Sequence, residues 1–263
     1  MSASIRVLDL PECGVLLVGG TSGVGLAAAH HFARSGVTRI ALVGRNAERG
    51  AQARDALLGA HPQVQVEFIA ADANVPDQAA GVVETAERRL GSVDVLLTST
   101  VGSFNPCLLH EMPLADIVPC LMEQVLAPLL MSRAVLPGMR ARKTGVIINI
   151  ASDAGKVATP GESVIGAAMA AITMFSRTLA IEAKRDGIRV NTLTPSLIGG
   201  TPVYDRVTKD GFSAKLFESA ARAAHLGLVM PDDMAALIVF LASPQAAKLT
   251  GQAISLNGGI SAA

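Results

Sequence analysis

Short apolar runs rich in Val, Ile and Leu recur along this chain, and most are followed by a stretch with the period of a helix. That alternation most narrows what the chain can fold into. The runs are Val15–Gly19, Arg39–Val43, Val64–Ile69, Val93–Leu97, Gly145–Ile150, Arg189–Leu193 and Ala253–Leu256. Helical periods lie between them at Leu26–Arg34, Glu48–Leu58, Gln78–Leu90, Ala115–Met139, Ser163–Lys184 and Met234–Leu241. A strand that is apolar on both faces must be covered on both, as in a parallel sheet held between two helical layers. Right-handed crossovers then leave a doubly wound α/β sheet of about seven strands.

No Pro/Gly-rich linker or shift of composition divides the chain, so residues 1–263 are expected to form one domain. The one long interval between elements is 195–231. It follows a strand end, where ligands sit in open α/β sheets, and is expected to form a lid over the substrate or a packed helical insertion. Lys plus Arg and Asp plus Glu balance at 22 each, which gives no reason to expect nucleic acid or an anionic membrane as partner. The N-terminal stretch has no long apolar segment after a basic one, and no unbroken apolar run approaches the ~20 residues of a membrane span. A cytoplasmic protein is the expectation. Cys13, Cys107 and Cys120 have no paired spacing and read as free thiols. The five histidines show no metal-ligand spacing, and His30 and His31 are adjacent, so they cannot share a helix face.

The first strand runs into Gly19-Gly20-Thr21-Ser22-Gly23-Val24-Gly25 and then a helix. Glycines there permit a tight turn and close approach of backbone to a pyrophosphate. The helix start offers unpaired N–H groups and a favourable dipole, and Thr21 and Ser22 add hydroxyl donors. Placed between a strand and a helix, the cluster reads as a dinucleotide site. The second strand ends in Val43-Gly44-Arg45-Asn46. A carboxylate at this end would hold the ribose 2′-hydroxyl of NAD. Gly44 supplies none, and Arg45 sets a cation where a 2′-phosphate would lie, so NADP(H) is expected in preference to NAD(H).

The glycine spacing, G-x-x-x-G-x-G, resembles that of the short-chain dehydrogenase/reductase family, with Val18 where the family usually has Thr. The likeness continues through Ala71-Asp72-Ala73, through Ile188–Pro202, where Ser196 replaces a Gly, and through Leu249–Gly259, and so covers essentially the whole chain. It implies a single-domain Rossmann-type fold. It implies cofactor contacts from Gly19, Thr21, Ser22, Gly23, Val24, Gly25, Arg45, Asn46, Asp72, Ala73, Thr98, Ser99, Pro195, Ile198 and Thr201, with Asp72 at the adenine. It also implies a homodimer or homotetramer paired through the helix around Val164–Ile181.

The family's catalytic set is Asn, Ser, Tyr and Lys. Ser152 matches the Ser, and Gln124 stands at the Asn position. The Tyr and Lys positions, 13 residues on and four after that, hold Ile165 and Met169. Neither can donate a proton, a role worth about 10²–10⁴ in rate. The family's Asn-Asn-Ala-Gly after the fourth strand is replaced by Thr98-Ser99-Thr100-Val101. Tyr204 in the lid segment, the trio Asp153, Lys156 and Glu162 near the pocket mouth, and His110 are the available substitutes. Pro128, four residues after Gln124, has no N–H for the Gln124 carbonyl, which is left free for a water unless the proline merely kinks the helix. Three readings stay open. One is an atypical NADP(H)-dependent oxidoreductase acting on a small carbonyl, imine or conjugated carbonyl. The others are a non-redox isomerase, lyase or cyclase, and a non-catalytic subunit.

Overall fold

The computed structural model describes residues 5–209 and 211–263. The first four residues of the N-terminal stretch, and residue 210 of the 195–231 segment, lie outside the described residues. The strands are β1 (Gly14–Val18), β2 (Arg39–Gly44), β3 (Gln65–Ala70), β4 (Val95–Thr98), β5 (Gly145–Ile150), β6 (Ile188–Thr194) and β7 (Ala253–Ser255). They form one seven-stranded sheet in the order β3-β2-β1-β4-β5-β6-β7, every pairing parallel. The helices are α1 (Gly23–Arg34), α2 (Ala47–Ala60), α3 (Pro76–Leu90), α4 (Leu114–Arg142), α5 (Ser163–Ala183), α6 (Pro202–Val207), α7 (Gly211–Ala223) and α8 (Pro231–Ala242). The doubly wound Rossmann-type sheet expected from the alternation is the fold observed.

Strand alternation divides the core into two layers. Val15 and Leu17 of β1 point to the side of Phe32 on α1, Leu57 on α2 and Ile238 on α8. Leu16 and Val18 point to the side of Val82 on α3, Met131 on α4 and Leu179 on α5. All five residues of β1 are buried, so each of its large side chains contributes about 1.5–3 kcal/mol by leaving water. A polar residue anywhere in this strand would face a helix layer, whichever way it pointed.

The apolar content of α4 and α5 is high enough that, by length and composition alone, each could cross a membrane (mean hydropathy 1.6 and 1.7). Here both lie on the sheet, and their side chains share the second layer. The absence of unbroken runs in the sequence hides this. α4 carries Pro119, Pro128 and Pro137 inside the helix. Near Pro128 the ladder is diverted, because the Ala127 N–H donates to Asn74 Oδ1 at 3.0 Å rather than only along the helix.

Two charged residues, buried Asp94 and half-buried Arg189, tie the far end of the sheet. Asp94 accepts from the Gly14 N–H at 2.9 Å and pairs with Arg142 at 3.3 Å. Arg189 donates to the carbonyls of Leu241, Ala242 and Ser243 at the end of α8, where cations are favoured. Burial pulls its guanidinium down to about 10. Cys13, Cys107 and Cys120 are all free thiols. Burial pushes Cys13 up to about 12 and Cys120 up to about 11, so neither is a thiolate nucleophile at neutral pH.

Candidate functional site

Strand order reverses between β1 and β4, and a cleft of about 530 Å³ opens at their carboxyl ends. Its floor is the glycine loop. Gly19 (φ +80°) and Gly23 (φ +50°) take left-handed conformations that a side chain would strain. A Cβ at Gly25 would meet the Gly19 carbonyl oxygen at 2.3 Å, so α1 packs directly on the turn. Ser22 caps α1 without a side-chain hydrogen bond, which leaves its hydroxyl uncommitted to the helix. The first turn of the helix keeps N–H groups that have no partner within it. This cradle has the donors and clearance for a pyrophosphate. The base of the 195–231 segment closes over it, with the Thr201 methyl 3.5 Å from where a Gly23 Cβ would stand.

At the β2 end of the cleft, Arg45 and Arg49 both face in. Arg49 Nε donates to Thr21 Oγ1 at 3.3 Å, and Arg45 lies 3.9 Å from the Asp72 carboxylate. Gly44 is packed against Thr21, so a Cβ there would come 2.9 Å from the Thr21 methyl. The strand end has neither a carboxylate nor space for one without Thr21 moving. Asp72 itself accepts from the Asn74 N–H at 3.0 Å.

Of the expected cofactor residues, Gly19, Thr21, Ser22, Gly23, Val24, Arg45, Asp72, Ala73, Ser99, Pro195, Ile198 and Thr201 line the cleft. Gly25, Asn46 and Thr98 do not. Gly25 is buried under the turn. Asn46 caps α2, accepting from the Arg49 N–H at 2.8 Å. Thr98 is fully buried and donates to Asn149 Oδ1 at 2.7 Å, and Asn149 in turn donates to Ser176. These three hold the walls in place rather than forming them.

The other end of the cleft holds the expected catalytic positions. Ser152 lines it, with its Oγ accepting from the Ala154 N–H at 3.2 Å. Gln124 lines it from α4, buried, with Oε1 accepting from the Gly102 N–H at 3.2 Å. Ile165 and Met169 line it too and belong to a small apolar cluster with Ala151, Ala168 and Ile172. They are pocket wall and local core at once.

The substitute proton carriers separate clearly. His110 is exposed beside Glu111 and is not among the lining residues. Lys156 does not reach the pocket mouth, because its ammonium donates to Ser255 Oγ and to the Ala263 carbonyl, binding the C-terminus. Asp153 reaches the cleft but is tied by Ser255 at 3.1 Å, by Ser261 at 2.7 Å and by Asn257. Tyr204 lines the cleft from α6. Glu162 lines it from the start of α5. Burial pushes the Glu162 carboxyl up to about 7, against the opposing influence of a hydrogen bond with Thr159.

Sequence reading missed Arg49 and Arg206. Arg49 lies in the first turn of α2, just after the strand end that carries Arg45, and that proximity is the signal that could have found it. Arg206 lines the cleft from α6 and donates to the Gly102 carbonyl at 3.0 Å, and no sequence signal marks it. Phe104, Pro106, Leu216 and Phe217 complete an apolar rim.

The sequence profile described as short chain dehydrogenase matches residues 14–211. The 3-oxoacyl-(acyl-carrier-protein) reductase FabG of Vibrio harveyi is 31% identical over 246 residues, covering 93% of this chain and 96% of the relative. The crystal structure of levodione reductase superposes with a TM-score of 0.88 at 25% identity, over 97% of this chain and 98% of that one. An NADPH-bound short chain oxidoreductase of Pseudomonas aeruginosa PAO1, described as containing an atypical catalytic center, superposes with a TM-score of 0.87 at 27% identity. It covers 97% of this chain and 99% of that one.

Proposed function

This chain belongs to the short chain dehydrogenase family, and on that premise we propose that it is an NADP(H)-dependent oxidoreductase that reduces a small carbonyl, imine or conjugated carbonyl. The observation that carries the cofactor reading is the β2 end of the cleft. Two guanidiniums face it where a 2′-phosphate would lie, and Gly44 is packed so that an acidic side chain there would have to displace Thr21. The NADPH-bound neighbour, itself with an atypical centre, supports the same reading.

In this proposal the glycine loop and the start of α1 hold the pyrophosphate by backbone N–H groups, with Ser22 adding a hydroxyl. Arg45 and Arg49 hold the 2′-phosphate. Ile198 and Thr201 bound the ring end of the cleft, and the 195–231 segment excludes water as a lid. A bound nicotinamide supplies or accepts hydride. Ser152 Oγ, an extended-backbone residue held by the Ala154 N–H, donates to the substrate oxygen and polarises the C=O bond. Gln124 positions the Gly102 turn that borders the substrate. Ile165, Met169, Phe104 and Phe217 favour an apolar substrate over a polyol.

The test is a titration of the purified protein with NADPH and separately with NADH, followed by nicotinamide fluorescence, then a screen for NADPH oxidation. Micromolar NADPH binding, weaker NADH binding and oxidation with a ketone, enone or imine is the expected result. No binding of either nucleotide would sink the oxidoreductase reading. Conversion of substrate with unchanged nicotinamide absorbance would favour the isomerase, lyase or cyclase reading, which Ile165 and Met169 keep open. Recovery of activity only beside a catalytically complete relative would favour the non-catalytic subunit.

A further inference from the structure

We propose that Glu162 is the general acid of this site, donating its carboxyl proton to the substrate oxygen or nitrogen as hydride reaches the adjacent carbon. The assignment rests on the reductase reading above and names the proton source that Ile165 and Met169 cannot supply.

The position comes first. Glu162 precedes α5 directly, one helical turn before Ile165, and its side chain lines the substrate end of the same cleft. It makes no capping hydrogen bond, so the carboxyl is not consumed by the helix N–H groups. Thr159 is its one hydrogen-bonding neighbour, and that contact favours the carboxylate, but burial outweighs it. The Thr159 hydroxyl is also shared with the Val157 carbonyl at 3.1 Å, so it is not held for Glu162 alone.

The other acidic or cationic side chains at this end are already committed. Asp153, in the turn after β5, is held by Ser255, Asn257 and Ser261. Glu123 of α4 accepts from Ser103 N and Oγ at 2.7 and 2.8 Å. Arg206 of α6 donates to Gly102, and a guanidinium does not release a proton. α7 brings only apolar groups, Leu216 and Phe217 in the cleft and Phe212 against Gly161. Burial is the cause of the raised Glu162 pKa, about 7, and no charged neighbour contributes to it. An acid poised near working pH is what proton transfer in a transition state requires.

The step balances. Hydride from a dihydronicotinamide forms the new C–H bond and the nicotinamide is oxidised. The C=O electron pair moves to oxygen. The Glu162 O–H bond breaks, its proton closes the alcohol, and the carboxylate left behind takes a proton from water.

The test uses the full chain as wild type, Glu162→Gln, Glu162→Asp and Tyr204→Phe. Carbon-13 NMR of glutamate-labelled protein without nucleotide is expected to show one carboxyl titrating near 7 that is missing from Glu162→Gln. NADPH titration is expected to give affinities within about twofold across the set. With cyclic ketones, enones and cyclic imines, Glu162→Gln is expected to lose about 10²–10⁴ in kcat. The wild-type rate should fall as pH rises through about 7, Glu162→Asp should keep a falling limb, and the residual rate of Glu162→Gln should be flat. An active wild type whose rate and pH profile survive in Glu162→Gln overturns the assignment and leaves the reductase reading standing. Loss of that limb in Tyr204→Phe alone overturns it in favour of Tyr204. A wild type that binds no NADPH or oxidises none overturns both.

Discussion

Arg45→Ala should remove most of the discrimination between NADPH and NADH. A 2′-phosphate carries about −1.5 to −2 charges near neutral pH. A unit pair at 4 Å is worth about 1 kcal/mol in water and about 4 kcal/mol at an effective dielectric of 20. The Arg45 side chain is 67% exposed, so the watery limit governs, and the product is about 2 kcal/mol. That is about 30-fold in Kd. Removal also strips the cation from Asp72, 3.9 Å away, whose carboxylate would then repel the phosphate and increase the loss. NADH lacks the phosphate, so its affinity should stay within about twofold. Titration by nicotinamide fluorescence at low salt, repeated at high salt where screening shrinks the preference, measures the ratio directly. Adding Arg49→Ala should bring the two nucleotides level. An unchanged ratio in the double variant would refute the reasoning. So would an equal loss for both nucleotides, which would mean that the arginines serve only the loop and α2.

Gly25→Ala should destabilise the fold by about 1–3 kcal/mol and weaken NADPH at least tenfold, because its Cβ would stand 2.3 Å from the Gly19 carbonyl; thermal melts and titration check this. Glu162 has a folded pKa of about 7, above the ordinary carboxyl value of 4.5, so its contribution to stability is fully present below that lower value. It is lost as pH rises through the higher one. Urea unfolding at pH 5 and 8 should differ by an amount on the order of 1–3 kcal/mol more in wild type than in Glu162→Gln. Leu114, Val118 and Met122 on α4, with Met174 and Ile181 on α5, are large apolar side chains left exposed. We propose that they meet a second copy of this chain, so Val118→Asp with Ile181→Asp should halve the mass seen by light scattering.

The sheet was legible because its strands are buried on both faces, and burial on both faces leaves uninterrupted Val, Ile and Leu. Strand ends moved by a residue or two, as at β1, where Gly14 pairs with Arg39 before the apolar run begins. The glycine loop was legible because its backbone geometry and the close approach of α1 leave no space for side chains at Gly19 and Gly25. The rest of the site was harder to read for a common reason. Lys156, Asp153 and Glu162 lie within one short stretch, and sequence gives each the same chance of entering the cleft. What separates them is contact with residues roughly a hundred positions away. The C-terminal segment takes Lys156 and Asp153, whereas Glu162 meets only nearby Thr159 and stays in the cleft. Arg206 was invisible for the same reason, since only the packing of α6 brings it over Gly102.

On the Glu162 assignment, Ile165 and Met169 fit a site that uses a carboxylic acid in place of a phenol. A tyrosine, ordinarily near 10, must be pulled down toward neutrality, and a nearby lysine does that in the family. A glutamic acid must instead be pushed up, which needs apolar surroundings and no cation. Ile165 and Met169 line the same cleft and bring no cation to it, so restoring the family's cation should impair a Glu162-based site rather than repair it. Met169 lies seven residues after Glu162, about 10.5 Å along the helix axis. At an effective dielectric of 20 a lysine there would lower the carboxyl by about 1.5 kcal/mol, roughly one pH unit. Met169→Lys should therefore move the falling limb of the pH–rate profile about one unit toward acid and cut the rate at pH 7 several-fold. Met169→Leu, equally apolar, should leave the limb in place and control for packing in the cluster around Ile172. Higher activity at pH 7 in Met169→Lys, with the limb unmoved, would mean that the proton comes from a group helped by a cation, and Glu162 would lose its role.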